Sequence, residues 1–353
     1  MQKIAESVQE NESSITGRIL REIDENPAKI NEIRRKWIGL GCEENFKKVF
    51  YDAPAAKLSD ADFDVGRGVE VMKIVFDTVK HGDFVFKNGS LRGEIFPENI
   101  GEKDKAILLY YTAPFLPRTK SRDVYKRMCE FFESNREIFS PEFVRSCSAE
   151  YLGKIFLPRM NMVNRRGEIP RKWTMLSEHL KEYNDNPLEL FSGCNDHDSL
   201  IQRIDEIPFY GRKTANYFLN ACVKEGLIDI PSGECNFAVD LHKARFVVQT
   251  EMLKKERRGI YFRPHDGDNN IVIERYYKEV CEEGGFDIHE ADENIWQWSS
   301  NGCSKKKCKD CPIDEKCTFG VWPRSLLDYG VFDLKHDYLG RSEALKQKKL
   351  SHY

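Results

Sequence analysis

Two places in this chain combine residue types and spacing suited to chemistry. In one, Cys303, Cys308, Cys311 and Cys317 follow the pattern C-x4-C-x2-C-x5-C. Four thiolates so close in sequence can wrap a compact cuboidal cluster, whereas structural zinc usually draws on two C-x2-C-like pairs from separate segments. The spacing therefore favours [4Fe–4S], with zinc as the alternative. Lys305, Lys306 and Lys307 fall inside the first interval. On a cysteine-tied loop they suit phosphate contacts, and without the cysteines they would read as a solvated charge run. In the other place, the segment IPFYGRKTANYFLNAC runs from Ile207 to Cys222. Leu200, Ile201 and Ile204 mark a helix that runs into Pro208, and a short turn closes on Gly211. Ala215, Phe218, Leu219 and Cys222 then mark a second helix. The first N–H groups of such a helix point outward and favour an anion. Lys213 lies in that first turn among apolar neighbours, a setting in which an amine can act as a nucleophile. The plainer reading of a lone lysine there is a solvated side chain. Downstream, Asp240 follows Phe237, Ala238 and Val239 and precedes a helical segment, where an acid is favoured as an N-cap in any case.

These residues need helices to position them, and most of the chain reads as helical. Val69, Met72, Val75, Phe76 and Val79 share a face, as do Ile30, Ile33 and Trp37. Helical stretches are predicted from Ala106 to Leu116, Arg122 to Phe132, Pro141 to Phe156, Pro170 to Tyr183, Ser199 to Glu206 and Arg212 to Glu225. Between Phe84 and Phe96 the pattern changes, and Asn88-Gly89 predicts a type I′ hairpin turn. The expected fold is thus all-α with one small β-hairpin, and no pattern suggests a parallel sheet.

The 353 residues suffice for one large or two medium domains. No apolar run approaches the ~20 residues that span a bilayer. Lysine and arginine number 55 against 58 acids, so overall charge does not hold nucleic acid and only local basic surfaces could. The first residues lack an apolar signal segment, so the eleven cysteines are expected to be reduced. Seven of them, Cys42, Cys129, Cys147, Cys194, Cys222, Cys235 and Cys281, show no metal spacing.

Taken together, GRKTA followed by VDLHKAR resembles the helix-hairpin-helix DNA glycosylases of the endonuclease III type. In that family the lysine of the first motif attacks the sugar and the aspartate of the second assists. The resemblance puts these roles on Lys213 and Asp240, with His242 and Arg245 at the family's trailing positions. The family also carries a C-terminal iron–sulfur cluster with C-x6-C-x2-C-x5-C spacing, so order, location and two of three intervals agree, and the first is two residues shorter here. The resemblance implies a two-domain helical fold, with a helical barrel carrying the hairpin over 105–237 and a cluster domain over 238–320; residues 1–104, for which the motifs give no template, are expected to form a mostly helical N-terminal extension that partly packs on the cluster domain, and 321–353 a tail.

Three departures bear on the site. The family hairpin reads PGVG, and Phe209 replaces its first glycine, a residue that tolerates positive φ poorly. The turn is therefore expected to have altered geometry. The loop from Gly226 to Asn236 is longer than usual, and Pro231, Ser232 and Gly233 signal a surface excursion. The family's LLSAQxTD segment corresponds to LLYYTAPFLPRTKSRD, which has no glutamine to fill the space left by a flipped base.

Candidate DNA contacts are Gly211, Arg212, Thr214, Arg118, Lys120, Arg122 and the three lysines Lys305, Lys306 and Lys307. Phe209, Tyr210, Phe156, Leu157, Met160 and His242 are pocket or wedge candidates. Trp296 and Trp298 read as packing around the cluster. The expected partner is duplex DNA with a damaged, modified or abasic nucleotide, bound by a monomer in the cytoplasm or nucleus. The implied activity is a glycosylase and abasic-site lyase. The same fold acting on an unusual modified base, or a non-catalytic DNA-binding module, stands as the alternative.

Overall fold

The computed structural model describes residues 15–25, 30–45, 57–86, 96, 100–115, 121–159, 168–194, 196–254, 261–262, 267–303, 307, 310–313, 317 and 332–333. The helices in chain order are α1 (Ile15–Glu25), α2 (Ile30–Gly39), α3 (Val65–His81), α4 (Glu102–Thr112), α5 (Ser121–Ser134), α6 (Pro141–Ser146) and α7 (Ala149–Arg159). They continue with α8 (Ile169–Leu180), α9 (His197–Asp205), α10 (Arg212–Lys224), α11 (Leu241–Gln249), α12 (Gly267–Gly284) and α13 (Ile288–Gln297). The strands among the described residues are β1 (Tyr261–Phe262) and β2 (Phe332–Asp333), an antiparallel pair with Tyr261 opposite Asp333. The fold class is all-α, as the periodicity predicts.

The chain divides into two compact units. The first comprises Met1–Ser90, Val239–Gly285 and Asn294–Tyr353, and the second Leu91–Ala238 and Phe286–Glu293.

The second unit is built on an aromatic core. Tyr111 stacks on Trp173 with ring centroids 4.5 Å apart, and Phe139 and Phe156 close on the same indole at 5.4 and 4.6 Å. The indole and the tyrosine hydroxyl of this core find partners. The Trp173 indole donates to the Ile138 carbonyl at 2.8 Å, and the Tyr111 and Ser177 hydroxyls lie 2.6 Å apart. Without such partners the buried groups would each cost about 1–3 kcal/mol. Arg145 clamps Asp185 in a two-pronged pair at 2.7 and 2.8 Å, and that arginine holds the carboxyl below its usual range. The single helix predicted from Pro141 to Phe156 is in fact two. Cys147 is extended at φ −91 and ψ 145, and the Ser148 hydroxyl accepts from the Tyr151 N–H at 3.1 Å, so a serine cap restarts the helix there.

In the first unit, α3 packs along α12. Asp64 caps α3 by accepting from the Arg67 N–H at 2.9 Å, and Gly82 ends it at φ 66. The apolar face is centred on Val71, Met72 and Val75. Gly68 is required at the crossing, because a Cβ there would overlap the Tyr276 hydroxyl and the Val280 side chain. Phe63 stacks on Tyr276 at 4.6 Å, and the Tyr276 hydroxyl donates to the Asp64 carbonyl at 2.9 Å. Backbone pairing joins the same stretch to the end of α11, with the Asp64 N–H on the Met252 carbonyl at 2.9 Å and the Lys254 N–H on Asp62 at 2.8 Å.

The β-hairpin predicted between Phe84 and Phe96 falls mostly outside the described residues, Asn88 and Gly89 included. Its first three positions, Phe84–Phe86, form a 3-10 turn. Their aromatic alternation serves Trp298 instead, whose ring lies 4.9 Å from Phe84 and 6.1 Å from Phe86.

Candidate functional site

The second unit holds the helix, hairpin and helix that the sequence predicts. Asp196 caps α9, accepting from the Ser199 N–H at 2.9 Å and the Ser199 hydroxyl at 2.6 Å. Leu200, Ile201 and Ile204 are buried on its inner face. The turn Ile207–Tyr210 then closes with the Tyr210 N–H on the Ile207 carbonyl at 3.0 Å. Pro208 occupies its second position and Phe209 its third, at φ 69. This is the arrangement of a type II turn, whose third position requires positive φ and so favours glycine or asparagine. The expectation that Phe209 alters the turn is not met. The chain keeps the left-handed conformation with phenylalanine in place, at a cost of about 1–2 kcal/mol.

Gly211 is the N-cap of α10, at φ −120 and ψ 171, and contributes no capping side chain. That φ is open to any residue, and a Cβ there would meet nothing within 4 Å. Neither conformation nor packing requires a glycine at this position. Arg212 and Lys213 are half-buried at the start of α10, and Thr214 is buried. The inner face of α10 is anchored by Ala215, Phe218, Leu219 and Cys222, all fully buried. Two amides tie the helix to the chain that leads toward Asp240: Asn220 Nδ2 donates to the Asn236 carbonyl at 2.8 Å, and Asn216 Nδ2 to Phe237 at 3.3 Å. In the long loop, Leu227, Ile228 and Ile230 pack on the core, while Pro231, Gly233 and Glu234 are exposed.

Of the pocket and wedge candidates, Tyr210 and Phe156 are core residues. The Tyr210 hydroxyl donates to the Tyr110 carbonyl at 2.7 Å, and its ring meets Phe218 edge-on at 5.7 Å. Phe209, in contrast, is 38% exposed. Leu157 lies in α7. Met160, Arg118 and Lys120 lie outside the described residues, as do Lys305 and Lys306. Arg122 lies in α5, and Lys307 is exposed.

In the first unit, Asp240 is the N-cap of α11. Its Oδ1 accepts from the His242 N–H at 2.9 Å and the Lys243 N–H at 3.1 Å. His242 is half-buried, its ring edge-on to Trp296 at 6.3 Å. Arg245 is buried on the same helix.

After Gln297 the chain widens into a π-helical turn, Trp298–Cys303, that ends on the first cysteine of the motif. Such turns are rare and concentrate at functional sites. Trp298 is buried against Phe84 and Phe86, and Gly302 lies directly under the Phe84 ring. Cys303, Cys311 and Cys317 are half-buried thiols, and Cys308 lies outside the described residues. Among the described residues no three His, Cys, Asp or Glu side chains gather as a metal-holding group. In donor chemistry the four thiols fit an iron–sulfur cluster.

No helix among the described residues is long and apolar enough to cross a membrane. No protein-family model matches the chain, and no curated protein does. Among solved structures, the chain is similar to a non-covalent endonuclease III–DNA complex, with 16% identity and a TM-score of 0.47. It is likewise similar to a trapped covalent endonuclease III–DNA intermediate, at 17% identity and a TM-score of 0.47. A thermostable thymine-DNA glycosylase stands at 13% identity with the same TM-score. Each likeness covers 72% of this chain and 96% of the other.

Proposed function

We propose that the chain is a DNA glycosylase with abasic-site lyase activity, in which Lys213 is the nucleophile and Asp240 the assisting acid. The observation that carries this reading is Lys213 in the first turn of α10, directly after an N-cap that has no side chain. The match of GRKTA and VDLHKAR to the family's catalytic positions supports it. The glycosidic carbon of a stacked nucleotide is out of reach, so the nucleotide is first turned out of the duplex. The Lys213 amine bonds to C1′ as the bond from C1′ to the base breaks, and the base leaves with a proton. Loss of the ring oxygen bond gives an imine between Lys213 and C1′. The imine acidifies C2′, a proton leaves there, and the 3′ phosphate is expelled by β-elimination. Asp240 stabilises the cationic sugar and helps the proton transfers, a contribution typically worth about 10²- to 10⁴-fold.

Cys303, Cys308, Cys311 and Cys317 would hold a [4Fe–4S] cluster that fixes the shape of their loop and takes no part in bond breaking. Lys305 to Lys307, Arg118, Lys120, Arg122 and Arg212 are the proposed partners of the phosphates. Replacing any one of them with alanine should flatten the slope of log K against log salt by about 0.9. The test is mass spectrometry of bases released from a panel of lesion-bearing and modified duplexes, with strand nicking read on the same samples. Release of one base class together with a nick supports the reading and names the substrate. Binding without release or nicking across the panel would leave a DNA-binding module in its place.

A further inference from the structure

A phenylalanine at φ 69 in the third position of the Ile207–Tyr210 turn is costly, and a glycine would remove the cost. Burial of the rest of the ring offsets about 1–2 kcal/mol, no more than the strain, since Phe209 is 38% exposed, one of few large apolar side chains in the described residues that open so far to solvent. The ring nonetheless has a cation over one face. Lys172, on α8, places its ammonium 5.3 Å from the Phe209 centroid and 5.6 Å from that of Phe115, which is buried. The same ammonium lies 3.9 Å from Glu168. One face of an exposed ring is thus covered by a cation that is itself seated on the core. One turn further along α8, Met175 is 37% exposed, and at i+3 from Lys172 it extends the same face. Arg212 and Lys213 follow three and four residues after Phe209. The result is an exposed aromatic ring beside a lysine ammonium, on the turn that leads into Arg212 and Lys213, which suits a partner that offers flat apolar faces beside phosphates.

We infer that Phe209 is a DNA-contact residue: its exposed ring packs against an unstacked base or sugar face of the bound strand, and Lys172 orients the ring and meets the adjacent phosphate. This rests on the DNA reading above and adds to it a residue that tells an unstacked site from intact duplex. Stacking of a base on an aromatic side chain is tolerant of sequence, so Phe209 adds affinity at a disrupted nucleotide of any kind.

The test uses the full chain and two duplexes, one intact and one with a mismatched 2′-fluoro nucleotide analogue, which keeps its base and, because the fluorine disfavours a cationic sugar, supports binding without chemistry. Dissociation constants are measured for the wild type, Phe209→Gly, Phe209→Asn and Lys172→Ala, with melting temperatures on the same preparations. Glycine and asparagine both accept positive φ, so relief of strain offsets removal of the ring and neither melting temperature falls. Both variants should bind the analogue duplex at least fivefold more weakly, change little on the intact duplex, and keep the salt slope. Lys172→Ala should flatten that slope by about 0.9 as well as weaken binding. Wild-type affinity in both Phe209 variants, or a fall of several degrees in both melting temperatures, would make the ring a structural element and overturn the inference. A wild type that binds neither duplex would overturn the DNA reading and this inference with it, a result distinct from unchanged binding in the variants.

Discussion

Two phenylalanines hold left-handed backbone, and the two units use them in opposite ways. Phe84, in the first unit, is at φ 55, and its ring packs on Trp298 and covers Gly302 at the turn that ends on Cys303. Phe209, in the second unit, is at φ 69 with its ring open to solvent under the Lys172 ammonium. The helix starts differ in the same sense. Asp240 spends one carboxylate oxygen on two N–H groups of α11, while Gly211 brings no side chain to α10. One ring packs against a buried indole and the other is 38% exposed, and one helix start has a side-chain cap where the other has none.

The two helix starts differ most sharply where a cap and a chemical role share one residue. Asparagine caps a helix about as well as aspartate, so Asp240→Asn should leave the melting temperature unchanged. Turnover should fall by about 10²- to 10⁴-fold. Unchanged turnover in a single-turnover assay would reduce Asp240 to a cap and make the two helix starts differ only in structure.

The cysteine turn comes next in size. A methyl on Gly302 would lie 2.7 and 2.8 Å from Phe84 ring atoms, so Gly302→Ala should cost about 1–3 kcal/mol in urea unfolding. At Gly211 the same methyl meets nothing within 4 Å, and Gly211→Ala should cost under about 1 kcal/mol. Equal costs at both glycines would erase the distinction between a packed turn and an open one.

The phenylalanines themselves should respond with different signs. Phe84→Gly relieves strain but removes the ring from Trp298 and should lose about 1–3 kcal/mol net. Phe209→Gly should lose nothing. Two variants equally destabilised would show that both rings serve packing.

The smallest effect is a pH dependence. Burial lowers His179 in the second unit, where its Nδ1 lies 3.1 Å from the Tyr110 hydroxyl, and burial likewise lowers His289. A histidine lowered by folding binds fewer protons folded than unfolded. Its contribution is therefore complete above the ordinary value of 6.5 and is lost as pH falls through the lowered one. Urea midpoints should decline below about pH 6.5, and His179→Gln should remove part of that decline. A flat profile in the wild type would contradict the burial argument.

Much of this is legible in the sequence, for physical reasons. Pro208 and Gly211 between two 3.6-period patterns are local signals, and the hairpin lies where they place it. The left-handed Phe209 is not legible, because a phenylalanine argues against positive φ. Only the closed turn, with the Tyr210 ring locked into the Tyr110 and Phe218 cluster, overrides that preference. The Phe84–Phe86 turn is hidden for a related reason. Its alternation looks like a strand, and the side chain that claims it, Trp298, is more than two hundred residues away in sequence. The break at Cys147 leaves only a weak local signal, because Ser148 favours an N-cap but serine also occurs inside helices.

The proposed chemistry depends most directly on Lys213. An amine bonded to C1′ leaves an imine, and borohydride reduces that imine to a stable protein–DNA adduct. Wild-type protein, offered duplexes with an intact modified base and with an abasic site, should be trapped on both. Lys213→Ala should bind with similar affinity and yield no adduct. A Lys213→Ala protein that traps as well as the wild type, or a wild type that binds these duplexes and never traps, would contradict the central claim.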